Sequence, residues 1–286
     1  MKENTTKRWE DLTLADNFIF QKFMRNEEMC KKILGEILNK KIEKIVYPDY
    51  EKTIDIRYDS KAIRLDLYVE GEDEIYNIEM QNISYAYLPQ RGRYYQDLID
   101  LDLLEKGKEY GELCQSYVIF ICSFDFYELG EYRYTFTNRC HEVKDLEYGD
   151  LTTKIILNTK GERGCISSDL KTFLAAVDGI FSNSDFSNTI KAEYDKIKEN
   201  GEFRREYMTL GLELLEQYQR GVKEGREEGR EEGREEGREE GILVGQERIL
   251  KAIEALKNGE SMEEIISKYE VDEKLLTEYQ KIMGDK

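Results

Sequence analysis

The residues best suited to chemistry lie within residues 62–84, AIRLDLYVEGEDEIYNIEMQNIS, where Asp66, Glu79 and Gln81 recur around an acidic turn. Two carboxylates held close repel each other, so bringing Asp66 and Glu79 together costs stability unless a cation sits between them. Their chemistry would then be that of a hard divalent metal site, with the Gln81 amide beside it. The same spacing also fits ordinary polar residues on the solvated face of an antiparallel hairpin. Spacing alone leaves both readings open.

The elements that must position the trio are two strands. In the first, Ile63, Leu65, Leu67 and Val69 point one way while Arg64, Asp66 and Tyr68 point the other. In the second, Ile78 and Met80 share a face opposite Glu79 and Gln81. This period-two alternation around Gly71-Glu72-Asp73 predicts a hairpin that pairs the acids on one face. Upstream, residues 11–38 predict two helices: Leu14, Phe18 and Phe23 form a core face in the first, and Asn26 caps the second ahead of Glu27 and Glu28. Residues 53–58 add a strand, for three consecutive antiparallel strands. A helix over about 85–104 follows, carrying Arg91, Arg93, Tyr94, Tyr95 and Gln96. The run SYVIFICSF (116–124) is apolar enough for a strand buried on both faces. Residues 132–140 and 154–159 read as two more strands. The fold class is therefore α/β (α+β), a mixed sheet flanked by helices with a helical C-terminal extension.

Composition bounds what this scaffold can do. A chain of 286 residues with 40% hydrophobic content can bury a full core. No stretch approaches the roughly 18 apolar residues of a membrane span, and the N-terminal residues lack the apolar core of a signal peptide. The five cysteines (30, 114, 122, 140 and 165) never form a CxxC pair and read as reduced cytoplasmic thiols. The single histidine, His141, excludes a histidine dyad, and no P-loop, Gly-x-Ser-x-Gly or GxGxxG context supports nucleotide or acyl chemistry. A net charge of −18 opposes broad nucleic-acid affinity, which normally needs a basic surface.

The ordered set LTLADNFIFQKFM (12–24), IRLDLYVE (63–70), YNIEMQ (76–81), RGRYYQ (91–96) and YVIFIC (117–122) resembles the PD-(D/E)XK family transposases, also called recombination-promoting nucleases. It covers roughly the first half of the chain. In the wider PD-(D/E)XK core one strand provides an Asp and the next a Glu-x-Lys. The resemblance implies a metal-dependent DNA endonuclease in which Asp66 and Glu79 bind Mg²⁺ (or Mn²⁺ or Ca²⁺), with Gln81 as the third catalytic position. It also implies that the Met80 backbone carbonyl joins the metal shell. Asp16 is either a helix-borne acid completing the site or an ordinary capping residue. The resemblance places the helix carrying Arg91 and Gln96 beside the acids, where Arg91 suits bidentate phosphate contact, and Tyr94 or Tyr95 could stack on bases; the plainer reading, favoured for Tyr95, is a helix whose aromatics pack on the sheet and whose arginines pair with surface carboxylates. The departure is Gln81, where most such enzymes have Lys: a glutamine can orient water but brings no charge. That departure and the acidic charge favour an alternative, a catalytically weak or inactive nuclease-fold scaffold that self-associates and binds or regulates.

Four segments are expected: a nuclease-like core over 1–160, a helical extension over 161–220, a repeat over 221–241 and a helical hairpin over 242–286. The repeat runs GREE four times from Gly225 to Glu240. Glu227 and Arg230, with their later equivalents, fall at i,i+3 and pair weakly, while each glycine costs about 1 kcal/mol against alanine. The segment is either a solvated linker or a self-association stalk, since a glycine stripe permits close helix approach. Beyond it, Ile249, Leu250, Ile253 and Leu256 predict one packing face, Ser261-x-x-Glu264 a capping box, and Asp272 a further cap. This hairpin reads as an element that packs or forms homo-oligomers.

Overall fold

The structure is a computed structural model that describes residues 7–47, 53–54, 63–64, 66–104 and 109–284. Its centre is a five-stranded mixed sheet of β3 (Leu67–Glu70), β4 (Glu74–Gln81), β5 (Gln115–Cys122), β6 (Arg133–Phe136) and β7 (Thr152–Asn158), in the order β3-β4-β5-β7-β6. β3 pairs antiparallel with β4 in the predicted hairpin, and the bond from the Gly71 N–H to the Glu74 carbonyl, 2.7 Å, closes its turn. β4 and β5 run parallel, as do β5 and β7, while β6 returns antiparallel on β7. The predicted strand over 53–58 is described only at β1 (Thr53–Ile54), which pairs antiparallel with β2 (Ile63–Arg64) in a separate two-stranded sheet. Pro48, where the sequence breaks the extended segment ahead of that strand, and the side chain of Leu65 lie outside the described residues.

Both faces of the large sheet are covered. Against one face pack α1 (Asn17–Met24), α2 (Glu27–Leu38), α4 (Ser168–Val177) and α5 (Asp185–Glu199), through Phe20, Phe23, Ile33, Phe173 and Ile190 onto Ile78, Met80, Ile119 and Leu157. Asn26 caps α2 as expected, accepting from the Met29 N–H at 3.2 Å. α3 (Leu88–Leu104) connects β4 to β5 as the crossover of a βαβ unit. It lies on the other face, where Leu88, Tyr95, Leu98 and Ile99 meet Ile75, Val118 and Phe120. Hence β5 is apolar on both sides, as its sequence indicates. The side of β4 that carries Glu79 and Gln81 is correspondingly not a wet face: Glu79 is 2% and Gln81 7% exposed.

One glycine sets how close α3 comes. A side chain at Gly92 would place its first carbon 3.2 Å from a ring carbon of Phe120, itself fully buried. The absent Cβ therefore lets the first turns of α3 settle onto β5, which brings Arg91 and Tyr95 over the end of β4.

The first compact unit runs through Leu210, beyond the expected boundary at 160, because α4 and α5 share the apolar cluster of the sheet. The second unit begins at Gly211. It contains most of α6 (Gly201–Lys257), α7 (Met262–Tyr269) and α8 (Glu273–Gly284), with a small cluster of Ala252, Ala255, Ile265 and Leu276. The GREE repeat is helical within α6, and residues 212–244 are all exposed. Ser261 caps α7 and Asp272 accepts from the Lys274 N–H, as the sequence indicates. Of the predicted face, Leu256 packs as expected, joined by Ala252 and Ala255, whereas Leu250 is 66% exposed. A chain ended at Leu210 is expected to stay soluble and melt cooperatively, because the sheet and the five helices that pack with it lie upstream. Circular dichroism and a thermal melt of residues 1–210 check this, and a molten or insoluble product would place later helices in the core.

Candidate active site

The acids meet where the β3–β4 ladder ends. Its last paired residues are Leu67 and Ile78, so the next step sets Asp66 against Glu79. There the side chains take over the pairing. The Asp66 N–H donates to Glu79 Oε1 at 3.1 Å, and the Met80 N–H donates to Asp66 Oδ2 at 3.2 Å. Each acid thus caps the backbone of the opposite strand, which fixes both carboxylates on one side of the sheet. Met80 turns its buried side chain to the other face, so only its backbone reaches the site.

α1 contributes through Asn17, whose Nδ2 donates to Asp66 Oδ1 at 3.1 Å. Asp16 is directed elsewhere. Its carboxylate accepts from the Thr13 N–H at 2.8 Å and from Lys7 Nζ at 2.6 Å, which makes it a partner of the preceding turn rather than a third acid. Among the described residues no three His, Cys, Asp or Glu side chains gather as a metal-binding group.

α3 closes the site from above. Arg91 Nη1 donates to Gln81 Oε1 at 2.6 Å, and Nη2 lies 3.8 Å from Glu79 Oε2. The guanidinium also donates to the Tyr95 hydroxyl from Nη2 at 2.6 Å and from Nε at 3.2 Å, and sits 5.3 Å from the ring centre. Tyr95 is itself buried and stacked on Phe120 at 6.1 Å. Gln81 is held from its other end as well, Nε2 donating to the Ile83 carbonyl at 2.8 Å.

Gln96 does not face solvent. It is buried, donating to Ser116 Oγ at 2.6 Å and Asp100 Oδ1 at 3.0 Å, and so ties α3 to β5. Ser116 lies at the start of β5, so Gln96 sits at the opposite end of the strands from Gln81. Tyr95 packs on the sheet instead of offering its ring to a base, whereas Asn17 and Asn77 were not singled out by sequence. Asn77 is fully buried on the face of Glu79, close enough to favour the charged form of that acid, and among the described residues neither amide atom of Asn77 makes a hydrogen bond of good geometry. Its position two residues before Glu79 was the available signal, because alternation puts both on one face.

Burial, with the Asp66 charge added, pushes the Glu79 carboxyl up to about 8 from an ordinary 4.5, against the pull of the Asp66 N–H and Arg91. Such a group is held in place at a cost, as expected of a position built for a cation. A solvated strand face would leave it unperturbed. The donor set, two hard carboxylate oxygens beside a backbone, fits a small divalent cation.

The stretch that carries these elements, residues 16–155, matches the model of the PD-(D/E)XK nuclease family transposases. Over those residues the chain is similar to that family. The chain matches no curated protein and no solved structure. Asp66, Glu79 and Gln81 all lie inside the matched stretch.

The displaced pKa has a signed consequence. Between about 4.5 and about 8 the folded protein retains a proton on Glu79 that the unfolded chain releases, so metal-free stability falls as pH rises through that window. Glu79→Gln removes this slope and is expected to melt a few degrees above the parent at the upper end, with the difference vanishing at the lower end. Parallel melts in chelator across the window check it. A constant offset between the two proteins would show that Glu79 ionises normally.

Proposed function

We propose that the chain is a metal-dependent DNA endonuclease that hydrolyses phosphodiester bonds, with Asp66, Glu79 and Gln81 as its catalytic residues. The observation that carries this reading is the buried Glu79 facing Asp66 at the end of the β3–β4 ladder, inside the family-matched stretch. Asp66, Glu79 and the Met80 backbone would hold Mg²⁺, or Mn²⁺ or Ca²⁺ in its place. When bound, such an ion supplies positive charge against the phosphodiester and acidifies a water.

The chain's own residues do the positioning. Asp66 is fixed by Asn17 and by the Met80 N–H, and Glu79 by the Asp66 N–H, so neither carboxylate must reorganise to receive a cation. Gln81 has spent one N–H on Ile83 and one lone pair on Arg91, which leaves one donor and one acceptor to orient an attacking water. DNA approaches from the exposed end of α3, where Arg91 offers a guanidinium to a phosphate and Tyr94 is 40% exposed. The unpaired state of all five cysteines supports a reducing compartment such as the cytoplasm.

Cleavage of supercoiled plasmid by pure protein in Mg²⁺ tests the reading. Asp66→Ala is expected to abolish it, and Gln81→Ala to lower it about 10²-fold while leaving metal affinity within a few-fold. Intact plasmid with the parent protein in Mg²⁺ and in Mn²⁺ would replace the enzyme by the binding scaffold.

A homo-oligomeric partner is part of the proposal. Glycines 221 to 245 recur every fourth residue of α6 with open space where their side chains would be, and seven of them cost about 1 kcal/mol each in an isolated helix. A second copy laid along this stripe would offset that cost through close approach and Arg–Glu pairing. Light scattering is expected to report an oligomer for the full chain and a monomer for residues 1–210. Two monomers would assign the repeat to a solvated spacer.

A further inference from the structure

Arg91 occupies a place in this site that a DNA-gripping residue would not need. Its side chain is only 29% exposed, with the guanidinium bound at 2.6 Å to the oxygen of Gln81 and 3.8 Å from Glu79. It is carried there by the close approach of α3 at Gly92 and braced from behind by the Tyr95 hydroxyl. The strand position that would ordinarily carry a cation is filled by neutral Gln81. We infer that Arg91 supplies from α3 the positive charge that β4 lacks, with Gln81 serving as the neutral cradle that holds the guanidinium over Glu79.

Three physical points support this assignment, which rests on the reading of Asp66 and Glu79 as the metal-binding acids. The first is distance: one guanidinium touches the residue at the charge-deficient position and lies within ion-pair range of the neighbouring acid. The second is geometry. Two faces of the same planar group are used, one edge on Gln81 and another on Tyr95, so the charge is held without a flexible stem. The third is compatibility. A Lys at position 81 would put a second cation where Arg91 already stands, and the two would repel. Glutamine there is the residue that accepts from Arg91 while adding no charge. Before metal arrives, Arg91 stands 3.8 Å from the Glu79 carboxyl; with metal bound, it is left facing the phosphate on which charge develops.

The test exchanges the cation between the two elements. Arg91→Gln is expected to lower kcat for plasmid or oligonucleotide cleavage by about 10²-fold or more with KM within a few-fold. Adding Gln81→Lys to Arg91→Gln returns the charge to β4 and is expected to recover at least a tenth of the parent rate. A rise in KM at unchanged kcat would make Arg91 a DNA grip and overturn the assignment, as would a double variant no faster than Arg91→Gln alone. Calorimetry gives a readout independent of cleavage. Removing Arg91 is expected to tighten Mg²⁺ binding several-fold, and Gln81→Lys with Arg91 in place to weaken it several-fold. Unchanged Mg²⁺ affinity in both, at parent melting temperatures, overturns the proposal even if cleavage is never seen. Should Arg91→Gln fail to fold, the Gln81→Lys titration alone decides: affinity equal to the parent's refutes it. Loss of Mg²⁺ binding to the parent protein would instead refute the acidic site itself.

Discussion

The structure depends on a confrontation of charge and burial at one spot: two carboxylates held at the end of a strand pair and roofed by a helix. Asp66 and Glu79 are tolerated there because each also replaces a missing backbone partner. The ladder stops at Leu67 and Ile78, and the orphaned N–H groups of Asp66 and Met80 are satisfied by carboxylate oxygens. A buried donor without a partner would cost on the order of 1–3 kcal/mol, so the acids are structurally useful before any cation arrives. Their mutual repulsion is the remaining liability, and it is the property a metal would relieve.

The rest of the first unit holds that arrangement in place. Four helices on one face make the sheet rigid, so that strand register, and with it the pairing of position 66 with 79, cannot slip without moving every side chain of the hairpin to the wrong face. α3 lies close because Gly92 offers no side chain to Phe120. A looser α3 would leave Arg91 and Tyr95 short of β4, and Glu79 would then be hydrated. The burial of Glu79 and the placement of Arg91 are thus two results of one helix–sheet contact.

The C-terminal unit is governed by different physics. Over residues 212–244 nothing within the unit covers α6, and glycine at every fourth position weakens the helix that the Glu and Arg residues favour. What packing the unit has is confined to Ala252, Ala255, Ile265 and Leu276, small residues that let three short helical segments meet. Its sequence therefore specifies helix more strongly than it specifies what the helix is for.

Local pattern was enough to read much of this protein. The alternation around Gly71 located the hairpin and put Asp66, Glu79 and Gln81 on one face; the caps at Asn26, Ser261 and Asp272 marked helix starts, since each depends on neighbours within four residues. The apolar run at 117–122 announced a strand covered on both sides. What sequence could not decide was which face would be dry, because alternation shows that two faces differ and not what is laid over them. Only the crossover of α3 turned an expected wet surface into the roofed site that raises the Glu79 pKa. Tertiary placement likewise sent Asp16 to Lys7 and Thr13 while its neighbour Asn17 reached Asp66, and drew Gln96 inward to Ser116. It alone set Arg91 against Gln81, because contacts between a strand and the following helix are determined by packing distance, here by the missing side chain at Gly92.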